Sequence, residues 1–197
     1  MSTGRLVVGV TGASGAIYAQ RFLRQAAQRF QEIYLIMSDQ AMQVAQTELG
    51  VEICRKSFST GPWLGANCPQ IRLLDGKDYF TPPASGSFRH DGMVIVPCSM
   101  GTAGRIANGI SDDLLTRAAD VCLKEKRPLI VVPREMPMNV IMLRNLTTLA
   151  EAGVTVLPAC PAWYQKPQTL EELADTVVAR ILQALGFDQD LMKEWTT

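Results

Sequence analysis

A glycine-spaced turn, Gly9-Val10-Thr11-Gly12-Ala13-Ser14-Gly15-Ala16, ends a β-branched apolar run and opens an Ala-rich stretch with apolar residues at helical spacing (Ile17, Phe22, Leu23, Ala26, Ala27). The chemistry such a unit offers is anion binding. Backbone N–H groups at the helix start point out of the turn and the helix dipole is positive there, so a phosphate can be held without a charged side chain. Gly12 and Gly15 let backbone and ligand approach closely because no Cβ intervenes. Ser14 adds a hydroxyl inside the turn. The spacing departs from the G-x-G-x-x-G order of dinucleotide folds. The plainer alternative is a turn without a ligand, in which Ser14 caps the helix.

A second small, hydroxyl-rich turn, Cys98-Ser99-Met100-Gly101-Thr102-Ala103-Gly104, follows the apolar run Met93–Pro97. Two such turns at the ends of parallel strands face one edge of a sheet, the edge where open α/β sheets bind ligands. Arg134 and Glu135 bring a cation and a carboxylate to the same edge, at the end of the run Pro128–Pro133. Ser38-Asp39 ends another strand at the place where nucleotide folds contact a ribose or a sugar alcohol. An Asp there suits NAD, and a Ser suits a less specific polar chain; Asp39 also reads as the N-cap of the next helix. Glu48 lies near the end of that helix, where a carboxylate opposes the dipole, and its plain alternative is a solvated surface position. Arg117 and Lys124 share a helix face, which on periodicity alone is a solvated basic stripe. Arg180 lies deep in the last long helix.

The elements that must position these groups alternate along the chain. Strands are expected at Leu6–Val10, Glu32–Met37, Met93–Pro97, Pro128–Pro133 and Val154–Pro158. Helices are expected at Ser14–Phe30, Gln40–Leu49, after Ser111-Asp112-Asp113, at Asn139–Ala152, and from the capping box Thr169-Leu170-Glu171-Glu172 to Leu185. This predicts one α/β domain over residues 1–197, three-layered and Rossmann-like or flavodoxin-like, with a central, mainly parallel sheet. Residues 57–92 are the least regular part, rich in turn formers, and their Trp63, Tyr79, Phe80 and Phe88 offer aromatic surface to another subunit. Trp195 in the tail has the same simplest use.

Nineteen basic and nineteen acidic residues balance, which argues against an electrostatic nucleic-acid binder. The first apolar run breaks at Gly9, unlike a signal peptide, and no apolar run approaches the ~20 residues of a membrane span. A cytoplasmic protein without membrane or nucleic-acid partners is expected. The five cysteines include no C-x-x-C pair and read as mostly buried thiols, and with His90 as the single histidine a metal site is improbable.

Taken in order, Gly12-Ala13-Ser14-Gly15-Ala16, Pro97-Cys98-Ser99-Met100-Gly101-Thr102, Arg117-Ala118-Ala119-Asp120 through Lys124, Pro133-Arg134-Glu135, and Tyr164 ahead of Pro167-Gln168 resemble the flavin prenyltransferases of the UbiX/Pad family. The resemblance covers essentially the whole chain. Trp163 stands where many members are expected to carry Phe. It implies transfer of a dimethylallyl group from dimethylallyl monophosphate to reduced FMN without a metal, closing a fourth ring. The product, prenylated FMN, serves UbiD-type decarboxylases in ubiquinone synthesis or aromatic-acid metabolism. A homododecamer with the flavin between subunits is implied as well. By motif position, Gly12, Ala13, Ser14, Ser38, Ser99, Met100, Gly101, Thr102 and Arg134 would hold FMN. Arg117, Lys124, Arg134, Tyr164 and Arg180 would gather on the substrate phosphate, some from a neighbouring subunit. Ser14, Glu48 and Glu135 would handle protons, and Trp163 and Met100 would wall an allylic cation.

Those residue types suit the reaction. An allylic monophosphate leaves poorly unless Arg, Lys and Tyr groups stabilise the departing charge in a water-poor site. Closing the second ring removes a proton from the flavin, which calls for a carboxylate. Three alternatives remain at this level. They are an FMN-dependent decarboxylase of a cysteine-containing substrate with His90 as base, an NAD(P)-dependent reductase using Asp39, and a non-catalytic flavin-carrying subunit of a decarboxylase.

Overall fold

The computed structural model of the chain describes residues 4–193. Trp195 lies outside them. Among the described residues six strands form one sheet: β1 Arg5–Val10, β2 Glu32–Met37, β3 Ile71–Leu74, β4 Met93–Cys98, β5 Leu129–Pro133 and β6 Thr155–Val156. All neighbouring pairs are parallel, in the order β3-β2-β1-β4-β5-β6. The near-continuous apolar runs of β1, β2, β4 and β5 fit this arrangement, because a parallel sheet is covered on both faces.

Among the described residues seven helices supply the cover: α1 Ala16–Ala26, α2 Asp39–Leu49, α3 Gly61–Leu64, α4 Met100–Ala107, α5 Leu114–Lys124, α6 Val140–Glu151 and α7 Leu170–Ala184. On one face Phe22 and Leu23 of α1 and Val178 and Ile181 of α7 pack against Leu6, Val8, Ile33, Leu35 and Val94. On the other, Ala103, Leu114, Ala118 and Leu149 from α4, α5 and α6 pack against Val7, Ile36, Ile95 and Val131. An ion pair ties α1 to α7, with the Arg21 Nε donating to Asp175 Oδ1 at 2.7 Å. The chain winds outward from β1 to β3, then crosses over to β4 and winds the other way. The reversal between β1 and β4 is the topological switch point at which such sheets bind ligands.

Several local expectations are corrected. The helix after the first turn starts at Ala16, and Gly15, at φ 109°, takes the N-cap position in place of Ser14. This backbone belongs to the left-handed region that glycine tolerates. The same helix closes at Ala26, short of Phe30, where the Gln28 and Arg29 N–H groups tighten onto the Gln25 and Ala26 carbonyls three residues back. Ser38, and not Asp39, caps α2, its hydroxyl accepting from the Ala41 N–H. At α7 the Thr169 hydroxyl accepts from the Glu172 N–H, but the Glu172 carboxylate takes the Gln168 N–H, so the reciprocal bond of a capping box is displaced by one residue.

The irregular stretch holds strand β3, and its Trp63 is a core residue. Trp63 is 1% exposed, packed under α1, whose Gln20 side chain donates to the Trp63 carbonyl at 2.6 Å. Tyr79 and Phe80 are exposed as expected, whereas Phe88 packs edge-on against Tyr34. Trp63→Ala is expected to cost about 3–5 kcal/mol of stability, the range for emptying a buried aromatic site; a denaturant midpoint unchanged from wild type would contradict this packing role.

Candidate active site

The two glycine-bearing turns flank the switch point and are bonded to each other. Thr11 follows β1, and its N–H and hydroxyl both donate to the Pro97 carbonyl, at 3.2 and 2.9 Å. The Thr11 hydroxyl in turn accepts the Ser99 N–H at 2.7 Å. The second turn is braced by its own hydroxyls. Ser99 caps α4 by accepting from the Thr102 N–H, and the Ser99 and Thr102 side chains meet at 3.0 Å. Met100 and Thr102 are buried, whereas Gly101 is exposed and a Cβ there would meet no protein atom within 4 Å. In the first turn Ala13 is buried, and a Cβ on Gly12 would come within 2.5 Å of the Gln40 Cβ. Only glycine therefore lets this turn lie against the start of α2.

At the mouth of the first turn lies a cluster of Ser14, Glu48 and Arg134. The Glu48 carboxylate accepts from the Gly15 N–H at 2.9 Å and from the Ala16 N–H at 2.8 Å. The anion position at the start of α1 is thus filled by the protein's own carboxylate. This corrects the expectation that these N–H groups stand open for a phosphate. It also resolves the awkward placement of Glu48. It ends α2 but faces the positive end of α1, where a carboxylate is favoured. Burial alone would raise its pKa. The Ser14 hydroxyl, the Ala16 and Gly15 N–H groups and the charge of Arg134 outweigh that effect and hold it below the ordinary carboxylate value. Arg134 closes the cluster from the end of β5, its Nε donating to the Ser14 carbonyl at 2.9 Å. Glu135 is exposed and accepts its neighbour's N–H, that of Met136, at 3.1 Å.

Beside this cluster a cavity of about 390 Å³ opens under the carboxyl ends of β1, β2 and β3. Ser38 is the one expected flavin residue on its wall; Thr11, Arg55, Lys77 and Arg105 share the polar lining with the carboxylates of Asp39, Asp75 and Asp113 and the amide of Gln40. Sequence reasoning missed Arg55 and Lys77, because β3 delivers Lys77 and the short 3₁₀ turn Arg55–Ser57 delivers Arg55. Arg105 had a signal, standing three residues after Thr102 on the helix that opens at the second turn.

Within one chain the expected phosphate-binding residues do not converge. The Arg117 Nη1 pairs with Asp120 at 2.8 Å and its Nε donates to the Ala84 carbonyl. Lys124, at the far end of α5, pairs with Glu125 at 2.5 Å. Arg180 bonds Gln183 on α7 and borders an open cleft along β6. Tyr164 lies in an exposed 3₁₀ turn with its hydroxyl 3.8 Å from the Met192 sulfur. Trp163 is 71% exposed, whereas Met100 is buried.

His90 and the buried thiols of Cys98 and Cys122 are remote or inert. His90 is 6% exposed, stacks on Phe88 and bonds the Gly92 carbonyl just before β4, at the opposite end of that strand from Ser99. Burial pushes the thiols of Cys98 and Cys122 up to about 12, so neither is a nucleophile at neutral pH.

Comparison with known proteins gives a consistent result. A family model described as Flavoprotein matches residues 1–182. The flavin prenyltransferase UbiX of Pseudomonas aeruginosa is 44% identical over 195 residues, covering 97% of this chain and 93% of the relative. That of Thermoplasma acidophilum is 46% identical over 193 residues, covering 97% and 99%. Among solved structures, a dodecameric FMN-dependent UbiX-like decarboxylase from Escherichia coli O157:H7 superposes with a TM-score of 0.87 at 36% identity, covering 98% of this chain and 100% of the other. A UbiX protein in complex with FMN and dimethylallyl pyrophosphate gives 0.87 at 34% identity, covering 98% and 97%. An FMN-dependent cysteine decarboxylase shares only the fold, at 17% identity and a TM-score of 0.57 over 93% of this chain and 98% of the other.

Proposed function

We propose the function from the premise that this chain belongs to the flavoprotein family and, within it, to the UbiX flavin prenyltransferases. The enzyme transfers a dimethylallyl group from dimethylallyl monophosphate to reduced FMN and releases prenylated FMN, which a UbiD-type decarboxylase takes up. The observation that carries this reading is the Ser14–Glu48–Arg134 cluster at the switch point, with a cavity of about 390 Å³ at the same edge of the sheet. Bound reduced FMN supplies the nucleophilic ring nitrogen and the adjacent aromatic carbon.

The chain's own residues fit that group. Glu48 is held ionised and can accept a proton; the Ser14 hydroxyl is hydrogen-bonded to its carboxylate. Arg134 steadies the turn and balances the Glu48 carboxylate before that carboxylate takes up a proton. Ser38, the Ser99–Thr102 turn and Gly12-Ala13 are assigned to the flavin. Arg117, Lys124, Tyr164 and Arg180 are assigned to the departing phosphate, with Glu135 as the second carboxylate at the same edge.

Because the phosphate residues are dispersed in one chain, the proposal requires neighbouring chains to complete each site. An apolar surface for this exists on α6, where Val140, Ile141 and Leu143 are exposed next to Met136. Contiguous exposed side chains of this kind mark an interaction surface. A homododecamer is the assembly we infer. Ile141→Asp is expected to shift the chain to smaller species in light scattering and to abolish turnover. A full-size assembly would contradict the α6 assignment.

His90 does not serve a cysteine decarboxylase here, being buried away from the ligand edge, and His90→Asn is expected to leave prenyl transfer intact. No helix among the described residues is long and apolar enough to cross a membrane, and the reading places the enzyme in the cytoplasm. Incubation of the protein with reduced FMN and dimethylallyl monophosphate tests the function. A bound flavin of unchanged mass would favour the flavin-carrying subunit instead.

A further inference from the structure

We propose that Gly86 is a positioning residue for prenyl transfer: it leaves free the space that the Lys124 ammonium occupies, and Arg127 fixes it there. The role rests on the assignment of Lys124 to the departing phosphate made above. Gly86 lies in the turn-rich segment ahead of β4. A Cβ built on it would come within 2.7 Å of the Lys124 Nζ and nearer still to the Glu125 Oε1. Both approaches are well inside van der Waals contact. Gly86 is not among the glycines with positive φ. Its missing side chain therefore answers to space and not to backbone conformation.

The segment is fastened on either side of Gly86. The Phe88 N–H donates to the Ser85 carbonyl at 3.2 Å, which closes a turn around Gly86, and the Ser85 and Ser87 hydroxyls meet at 2.9 Å. The Arg127 Nη2 donates to the Gly86 carbonyl at 2.5 Å. The Arg127 N–H donates to the Cys122 carbonyl at 2.8 Å, so its own position is set by the end of α5 that carries Lys124. On the far side Phe88 packs edge-on against Tyr34 and stacks on His90, with the Arg5 guanidinium 5.3 Å from its ring centre. Upstream, the Ala84 carbonyl accepts from the Arg117 Nε at 3.2 Å. One segment thus touches both cations of α5 that are assigned to the phosphate.

Stability alone gives little reason for a glycine here. The collision a side chain would cause falls on the far ends of two exposed, flexible side chains, which can swing away. The place of the ammonium is another matter. Lys124 carries its charge on a four-carbon stem with many rotamers, and the ion pair with Glu125 at 2.5 Å and the Gly86 backbone confine it. A displacement that folding tolerates is costly to a group that must meet a phosphate.

The test is steady-state kinetics, FMN titration and denaturant unfolding of full-length Gly86→Ala, Lys124→Ala, the double variant, Arg127→Met and Arg127→Lys. Gly86→Ala is expected to keep the wild-type FMN affinity and unfolding midpoint and to raise the KM for dimethylallyl monophosphate roughly 10-fold. Added to Lys124→Ala, it is expected to change that KM by less than about 2-fold, because the ammonium it displaces is already gone. Arg127→Met is expected to raise the KM as Gly86→Ala does, and Arg127→Lys to restore part of the loss. Losses that multiply in the double variant would overturn the proposal, since Gly86 would then act without Lys124. A wild-type KM in Gly86→Ala or in Arg127→Met would overturn it as well. So would a Gly86→Ala enzyme that loses FMN affinity and stability together, which would make Gly86 a residue of the fold. A wild-type KM in Lys124→Ala would instead refute the phosphate assignment itself, whatever Gly86→Ala shows.

Discussion

Glu48→Gln is expected to lower the rate of prenyl transfer by roughly 10²- to 10⁴-fold, the usual contribution of a positioned proton acceptor, while FMN binding persists. Glu48 is in place for this role because it bridges the start of α1 and the Ser14 hydroxyl while Arg134 lies nearby. The amide can still accept one of the two N–H groups, so the turn keeps most of its shape while the proton acceptor is lost. Single-turnover measurements with prebound reduced FMN separate the two effects. A rate equal to wild type would remove Glu48 from the chemistry and leave it as a helix cap. The same carboxylate predicts a pH dependence of stability. Its folded-state pKa lies below the ordinary 4.5, so its stabilising effect is fully present above that value. It is lost as pH falls through the folded-state pKa. The stability difference between wild type and Glu48→Gln is expected to be constant near neutrality and to shrink under acid.

Lys124→Ala and Arg180→Ala are each expected to raise the KM for dimethylallyl monophosphate about 10- to 100-fold, the scale of a charge-assisted hydrogen bond lost in a shielded site, with FMN affinity unchanged. In one chain these cations lie on different helices and pair with Glu125 and Gln183. They reach a common phosphate only if the assembly brings α5 and α7 of different chains together. Mixing the two single variants before reassembly therefore has a defined outcome. If Lys124 and Arg180 of one site come from different chains, some mixed sites carry both cations, and activity returns in part. Unchanged steady-state kinetics in both variants would refute the phosphate assignment.

The buried strands and the two turns were legible because parallel strands covered on both faces are unbroken apolar runs, and glycine, serine and threonine mark where they stop. Strand β3 was not. It has only Ile71–Leu74, and Arg72 interrupts its apolar pattern, so neither periodicity nor length distinguishes it from loop. Losing β3 also hid the cavity, since Lys77 takes its position from that strand. Trp63 read as surface because its short helix lies among turn formers, although burying so large an apolar side chain is favourable wherever the chain permits. Glu48 was judged against the helix it ends. Its actual partner is the helix start 33 residues earlier, a long-range contact that local dipole reasoning does not reach. The proposed division of the phosphate residues among chains rests on the family resemblance, because spacing along one chain carries no information about its neighbours.

The most direct test of the central claim is the mass of the flavin released after anaerobic incubation of the protein with reduced FMN and dimethylallyl monophosphate. The account predicts a flavin heavier by one five-carbon prenyl unit, formed by wild type and by His90→Asn but scarcely by Glu48→Gln. Recovery of unmodified FMN from wild type, with the flavin bound throughout, would contradict it.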